Sequence, residues 1–155
     1  MRLPAIRRHW RGVLAGVLLA FIAIQLVPYG HDQVNPPVIE EPAWDSPETR
    51  ALAARACFDC HSNETSWPLY SRVAPVSWMV VHHVEEGRAE LNFSEWQRPQ
   101  KEAREAAEVT SERDMPLGSY LLLHAHARLS AAERERLARG LANTLGTEEH
   151  ASRGH

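Results

Sequence analysis

The stretch ACFDCHSNETSWP, residues 56–68, holds both cysteines of the chain, Cys57 and Cys60, with His61 directly behind the second. Three chemistries use two cysteines at this spacing, and they ask for different surroundings. A structural zinc site closes a tetrahedron of thiolates and imidazoles, usually from two such pairs. This chain has no second pair, and the adjacent Cys60 and His61 do not easily point at one ion. A disulfide oxidoreductase sets its pair at a helix N-terminus on a strand-rich frame, where the dipole lowers the thiol pKa. Here the pair follows a helix pattern and strand patterns are missing. A plain local disulfide would staple a tiny loop and make no use of His61. Covalent haem attachment uses every feature. Each thiol adds to one haem vinyl group, the two-residue spacer separates the sulfurs, and the next residue comes under the iron as an axial ligand. The expectation is one covalent haem c, bound through Cys57 and Cys60, with His61 on the iron.

Outward from this stretch the pattern is helical throughout, and the fold class expected is all-α. Upstream, Ser46-Pro47-Glu48 supplies a cap, a first-turn proline and a carboxylate at the positive end of a helix that runs towards Cys57. Downstream, a second helix is expected to start at Pro75 and run through VSWMVVHHVEEGRAEL, residues 76–91, with Val76, Met79, Val80, His83 and Val84 facing inward and Gly87 near its end. Ser94 is a possible cap for the next helix, whose regular part is pushed by Pro99 into the charged stretch after Lys101. Another helix follows Met115-Pro116. The last carries an S-x-x-E capping box, Ser130 to Glu133, and stops at Gly146.

The N-terminus reads differently. Arg2, Arg7, Arg8 and Arg11 precede the apolar run GVLAGVLLAFIAIQLV, residues 12–27, the form of an export signal or anchor. No A-x-A-like cleavage site follows, so the run is expected to remain as a transmembrane helix, single-pass in the inner membrane, with the haem domain facing the periplasm. The domain map is then residues 1–29 as anchor, 30–45 as a proline-rich tether, 46–146 as the c-type haem-binding domain and 147–155 as a tail.

Charge narrows the partners. The whole chain has 17 Lys+Arg and 20 Asp+Glu. Four of those arginines precede residue 12 and every acid follows residue 30, so the rest carries 13 basic against 20 acidic residues, a net −7. No basic patch with interleaved aromatics is present, and nucleic acid is not an expected partner. Redox partner proteins, the cytochrome c maturation machinery and the membrane are.

Three segments, CFDCHSNETSWPLYSRVAPVSW (57–78), HVEEGRAELNFSEW (83–96) and DMPLGSYLLLHAHARLSAAERERL (114–137), resemble the bacterial haem-binding domain family of short, membrane-tethered cytochromes c. The resemblance covers most of residues 50–145. It implies a compact cytochrome c-like helical fold with Met115 as the second axial ligand. The residues themselves agree with that role: Met115 lies far along the chain from His61 and is followed by a proline that blocks helix. A gap-filling core methionine is the competing reading.

Other residues were candidates for the same surroundings. Met79 sits on an apolar stripe and reads as core. His82 and His83 point about 100° apart on a helix, so only one of them can face a haem, where it is the alternative to Met115 as sixth ligand. His124 and His126 read as surface or propionate-side groups, Trp67, Tyr70 and Trp78 as haem walls or core, and Arg72 and Arg88 as propionate partners. Together these readings describe a monohaem single-electron carrier with His/Met ligation rather than an enzyme. The alternative is a five-coordinate haem enzyme, peroxidase-like, or a gas or redox sensor, and Met115 separates the two.

Overall fold

The structure, a computed structural model, describes residues 3–146. Arg2 and the expected tail lie outside the described residues. Seven α-helices follow in chain order: α1 Leu3–Ile24, α2 Pro47–Ala56, α3 Phe58–His61, α4 Val76–Glu90, α5 Ala106–Glu112, α6 Gly118–Leu123 and α7 Ala131–Leu145, with 3₁₀ turns at Leu69–Arg72 and Ala125–Ala127. Among the described residues the only β feature is one isolated parallel bridge, Glu40 to Glu95. The all-α expectation holds.

The chain divides into two units, one made of residues up to Val34 with Trp67–His82, the other of Asn35–Ser66 with the residues from His83 onward. In the first unit, α1 corrects the expectation of a transmembrane anchor. No helix among the described residues is long and apolar enough to cross a membrane, and the single-pass inner-membrane placement falls with it. The physical reason is where the charges and the helix end lie. Arg7, Arg8 and Arg11 fall inside α1, and the helix stops at Ile24, after which Gln25, Leu26 and Val27 form tight three-residue turns. The arginine-free part, residues 12–24, rises only about 20 Å at 1.5 Å per residue, against a hydrocarbon core of roughly 30 Å. The apolar run read from the sequence continued past the point where the helix ends. Gln25 closes this end, its side chain donating to the Ala74 carbonyl at 3.0 Å and accepting from the Ala74 amide at 2.9 Å. Gln33 bonds the Ser71 hydroxyl at 3.0 Å in the same unit.

The second unit has the main core. Leu52, Ala53 and Ala56 of α2, Phe58 of α3, Leu91 and Phe93 after α4, Ala103 and Ala106, and Leu137 and Leu141 of α7 form one buried cluster. Trp44, Phe58 and Phe93 make its aromatic centre, with ring centroids 5.2 to 6.2 Å apart, the range in which tilted and offset rings attract. α2 starts as the sequence indicated: Ser46 accepts from the Thr49 amide and Pro47 opens the first turn. α7 forms the full capping box between Ser130 and Glu133. The two helices approach so closely that a Cβ on Gly140 would lie 2.1 Å from Thr49 Oγ1. Residues 35–45 are extended and docked on this unit, with the Ile39 and Glu40 amides bonding the Ser94 carbonyl at 2.9 and 3.2 Å.

Two details of the helical reading change. α4 turns Ser77, Val81 and Val84 inward, while Met79 is 51% exposed and Val76 lies outward too, so Met79 is not core. The apolar residues of this helix occupy more than half its circumference, and spacing alone could not fix which ones face in. Ser94 caps no helix. It is buried, and its hydroxyl accepts from the Asn63 amide.

Candidate functional site

The two cysteines lie where one helix hands over to the next. Cys57 is the C-cap of α2 and the N-cap of α3, and its carbonyl accepts from the amides of Cys60 at 3.1 Å and His61 at 2.9 Å. This single helical turn carries both sulfurs and the imidazole, at positions 57, 60 and 61. Phe58, between the cysteines, enters the core and anchors the turn. Neither cysteine is in a disulfide. Burial pushes the Cys57 thiol up to about 12 and the Cys60 thiol up to about 11, so both are protonated at neutral pH.

His61 is oriented through its inner nitrogen. Nδ1 lies 3.0 Å from the Gly87 carbonyl and 3.1 Å from the Leu91 carbonyl, both on the C-terminal part of α4 and its end. Two acceptors at one nitrogen require that nitrogen to carry the proton, which leaves Nε2 with its lone pair. Burial also lowers the pKa of His61, favouring the neutral ring. A backbone carbonyl on the other nitrogen is the usual way a ligating histidine is held. Gly87 makes this possible by its missing side chain. A Cβ there would stand 2.5 Å from the Cys60 carbonyl oxygen.

A polar lattice locks the loop after the motif. Arg88 Nε donates to the Ser62 carbonyl at 2.8 Å, and its Nη2 to Thr65 Oγ1 at 2.9 Å and Asn35 Oδ1 at 3.1 Å. Thr65 donates in turn to the Asp59 carbonyl. The buried Asn92 donates to Asn63, which donates to the Pro37 carbonyl and to Glu95. Arg88, read from sequence as a propionate partner, is therefore engaged in clamping this loop, while Arg72 is exposed.

Met115 is half-buried between α5 and α6. Its amide donates to the Val109 carbonyl at 3.1 Å and its carbonyl accepts from Arg134 at 3.2 Å. No hydrogen bond joins Met115 itself to the 57–61 turn, but its segment is tied there by Tyr120, whose hydroxyl donates to Asp59 Oδ2 at 2.6 Å. His124 stacks on Tyr120 and His126 meets His124 edge-on. His82 is exposed and His83 half-buried on α4. In the first unit the Trp78 indole nitrogen and the Ser77 hydroxyl are buried without a partner.

Sequence reasoning found the thiols and the imidazole but missed Asp59, Gly87 and Tyr120. An isolated glycine within a helical pattern marks a close backbone approach, which was the available signal for Gly87. Asp59 and Tyr120 meet across 61 positions and gave none.

Within five residues the turn thus carries two reduced thiols and a neutral, backbone-oriented imidazole, with Gly87 leaving room for the close contact behind them. Among the described residues no three His, Cys, Asp or Glu side chains gather as a metal cage. The model of the haem-binding domain family matches residues 19–143, and the chain belongs to that family. No curated protein and no solved structure matched the chain.

Proposed function

We propose that this haem-binding protein is a monohaem c-type cytochrome that carries single electrons, with the haem joined to Cys57 and Cys60 and the iron ligated by His61 and Met115. The observation that carries the reading is the double carbonyl contact of His61 Nδ1, which presents Nε2 from the same helical turn as the two thiols. Haem supplies a one-electron Fe(II)/Fe(III) couple when bound. The chain's own part is to hold and shield. Cys57 and Cys60 would hold the group covalently, each adding its S–H across a vinyl C=C, an addition in which no atom is lost. The His61 proton stays on Nδ1 between the Gly87 and Leu91 carbonyls, and Phe58 holds the turn in the core.

The half-buried thiols of the folded chain, with their pKa values pushed well above neutral, are poor nucleophiles. This supports attachment before folding, on a chain presented by the cytochrome c maturation machinery. The net −7 of the chain beyond residue 12 favours redox partners with a basic docking face. Met115 as the sixth ligand makes the protein a carrier rather than an enzyme or sensor, since a thioether kept in both oxidation states leaves no open position.

The test is the Met115→Ala variant of the haem-loaded protein. It is expected to keep its haem, lose the weak thioether-to-iron band in the red, lower the potential and bind carbon monoxide far faster than wild type. Rapid carbon monoxide binding by wild-type Fe(II) protein would instead indicate an open position and favour the enzyme or sensor reading.

A further inference from the structure

Met115 and the 57–61 turn belong to distant parts of the chain, and something must fix their separation. α6, which begins three residues after Met115, has no fully buried residue, only Tyr120 and Leu121 being half-buried, so apolar packing contributes little to its placement. Its tie to the motif is the Tyr120 hydroxyl, which donates at 2.6 Å to Oδ2 of Asp59, between the two cysteines. Both ends of that bond are braced. Asp59 Oδ1 accepts from the Ser66 amide at 2.9 Å and the Asp59 carbonyl accepts from Thr65. The Tyr120 ring lies on the His124 ring, with centroids 3.9 Å apart and planes within 12°. His124 Nδ1 in turn bonds the Tyr120 carbonyl at 2.8 Å. On the far side of Met115, its amide and carbonyl are held to Val109 and Arg134.

We propose that Tyr120 is a positioning residue for the sixth iron ligand, its hydrogen bond to Asp59 tying the segment that bears Met115 to the haem-attachment turn. This rests on the assignment of Met115 made above. The bond is to an acceptor of carboxylate type, the stronger class of hydrogen bond, and it joins α6, three residues beyond Met115, to the residue between the cysteines. Without it the Met115 backbone keeps its bonds to Val109 and Arg134, but the chain that follows loses this bond to the turn.

The experiment uses the full-length haem-loaded protein and the variants Tyr120→Phe, Asp59→Ala and their combination. Tyr120→Phe keeps the ring and its stacking and removes only the hydroxyl. It is expected to raise amide hydrogen exchange over residues 117–123 by about tenfold, to weaken the thioether-to-iron band and to speed carbon monoxide binding by a similar factor. Exchange in α2 and α7 should stay at the wild-type level. Asp59→Ala, which also frees the Ser66 amide, should do the same to residues 117–123, and there the double variant should do no more than the larger single one, because both remove the Tyr120–Asp59 bond. An unchanged band and carbon monoxide rate in Tyr120→Phe overturns the proposal, as does strict additivity in the double variant. If Met115→Ala leaves the wild-type spectrum intact, the ligand assignment itself has failed. The tie is then judged on exchange alone, and unaltered exchange over residues 117–123 in Tyr120→Phe overturns it.

Discussion

The smallest feature on which the site depends is an absent methyl group. Gly87 places its carbonyl on His61 Nδ1 and its Cα against the Cys60 carbonyl, where a Cβ would be 2.5 Å away. The obstructing atom is backbone, which cannot swing aside as a side chain can. Gly87→Ala is therefore expected to lower stability by about 1–3 kcal/mol through overpacking, despite the better helix propensity of alanine. It should also misalign the imidazole, seen in the haem-loaded protein as a change in the iron's ligation spectrum. Unchanged denaturation and spectrum in this variant would show that the Gly87 carbonyl does not orient the ring. At this scale the sequence was informative for residues whose chemistry lies in local spacing. Cys57, Cys60 and His61 are neighbours, so their joint role could be read directly. The partners that orient them, Gly87 and Leu91, come from another helix, and no local pattern announces which carbonyl will meet an imidazole.

Among the elements, α2 and α7 carry the core, and their starts were legible because caps are local chemistry. Ser46 with Pro47, and Ser130 with Glu133, each satisfy helix-end amides within four residues. The Glu133 carboxylate accepts from the Ser130 amide at 2.8 Å and from Arg55 of α2 at 2.7 Å. These contacts, the Ser130 backbone bond first, hold its pKa down to about 2 from the ordinary 4.5. A carboxylate depressed on folding contributes stability that is complete above its unfolded value and is lost as pH falls towards its folded one. The contribution of Glu133 is thus present above about pH 4.5 and fades between there and about pH 2. Glu133→Gln should lower Tm at pH 7 and flatten the fall of Tm across that acid window. A wild-type slope in the variant would mean that Glu133 does not report the join of α7 to α2. The facing of α4 was less legible. With apolar residues around more than half its circumference, only the tertiary partners decide that Val81 and Val84 go in and Met79 stays out.

At the scale of the whole molecule, two units share α4, whose first part belongs to one and whose last part supplies the His61 acceptors in the other. The basic, apolar N-terminus was read as a spanning anchor because hydropathy sums side chains without knowing where the helix stops. The end of α1 at Ile24 and the arginines inside it leave too short an uncharged stretch. The haem reading stands apart from that correction because it rests on the motif, and the family match over residues 19–143 includes the motif. The most direct test of that reading is the intact mass of protein made with the cytochrome c maturation machinery and stripped with acid-acetone. The account predicts a chain that stays red and is heavier by one haem, with the attachment weakened by Cys57→Ala or Cys60→Ala. A colourless chain at its apoprotein mass, with the haem in the extract, would contradict it.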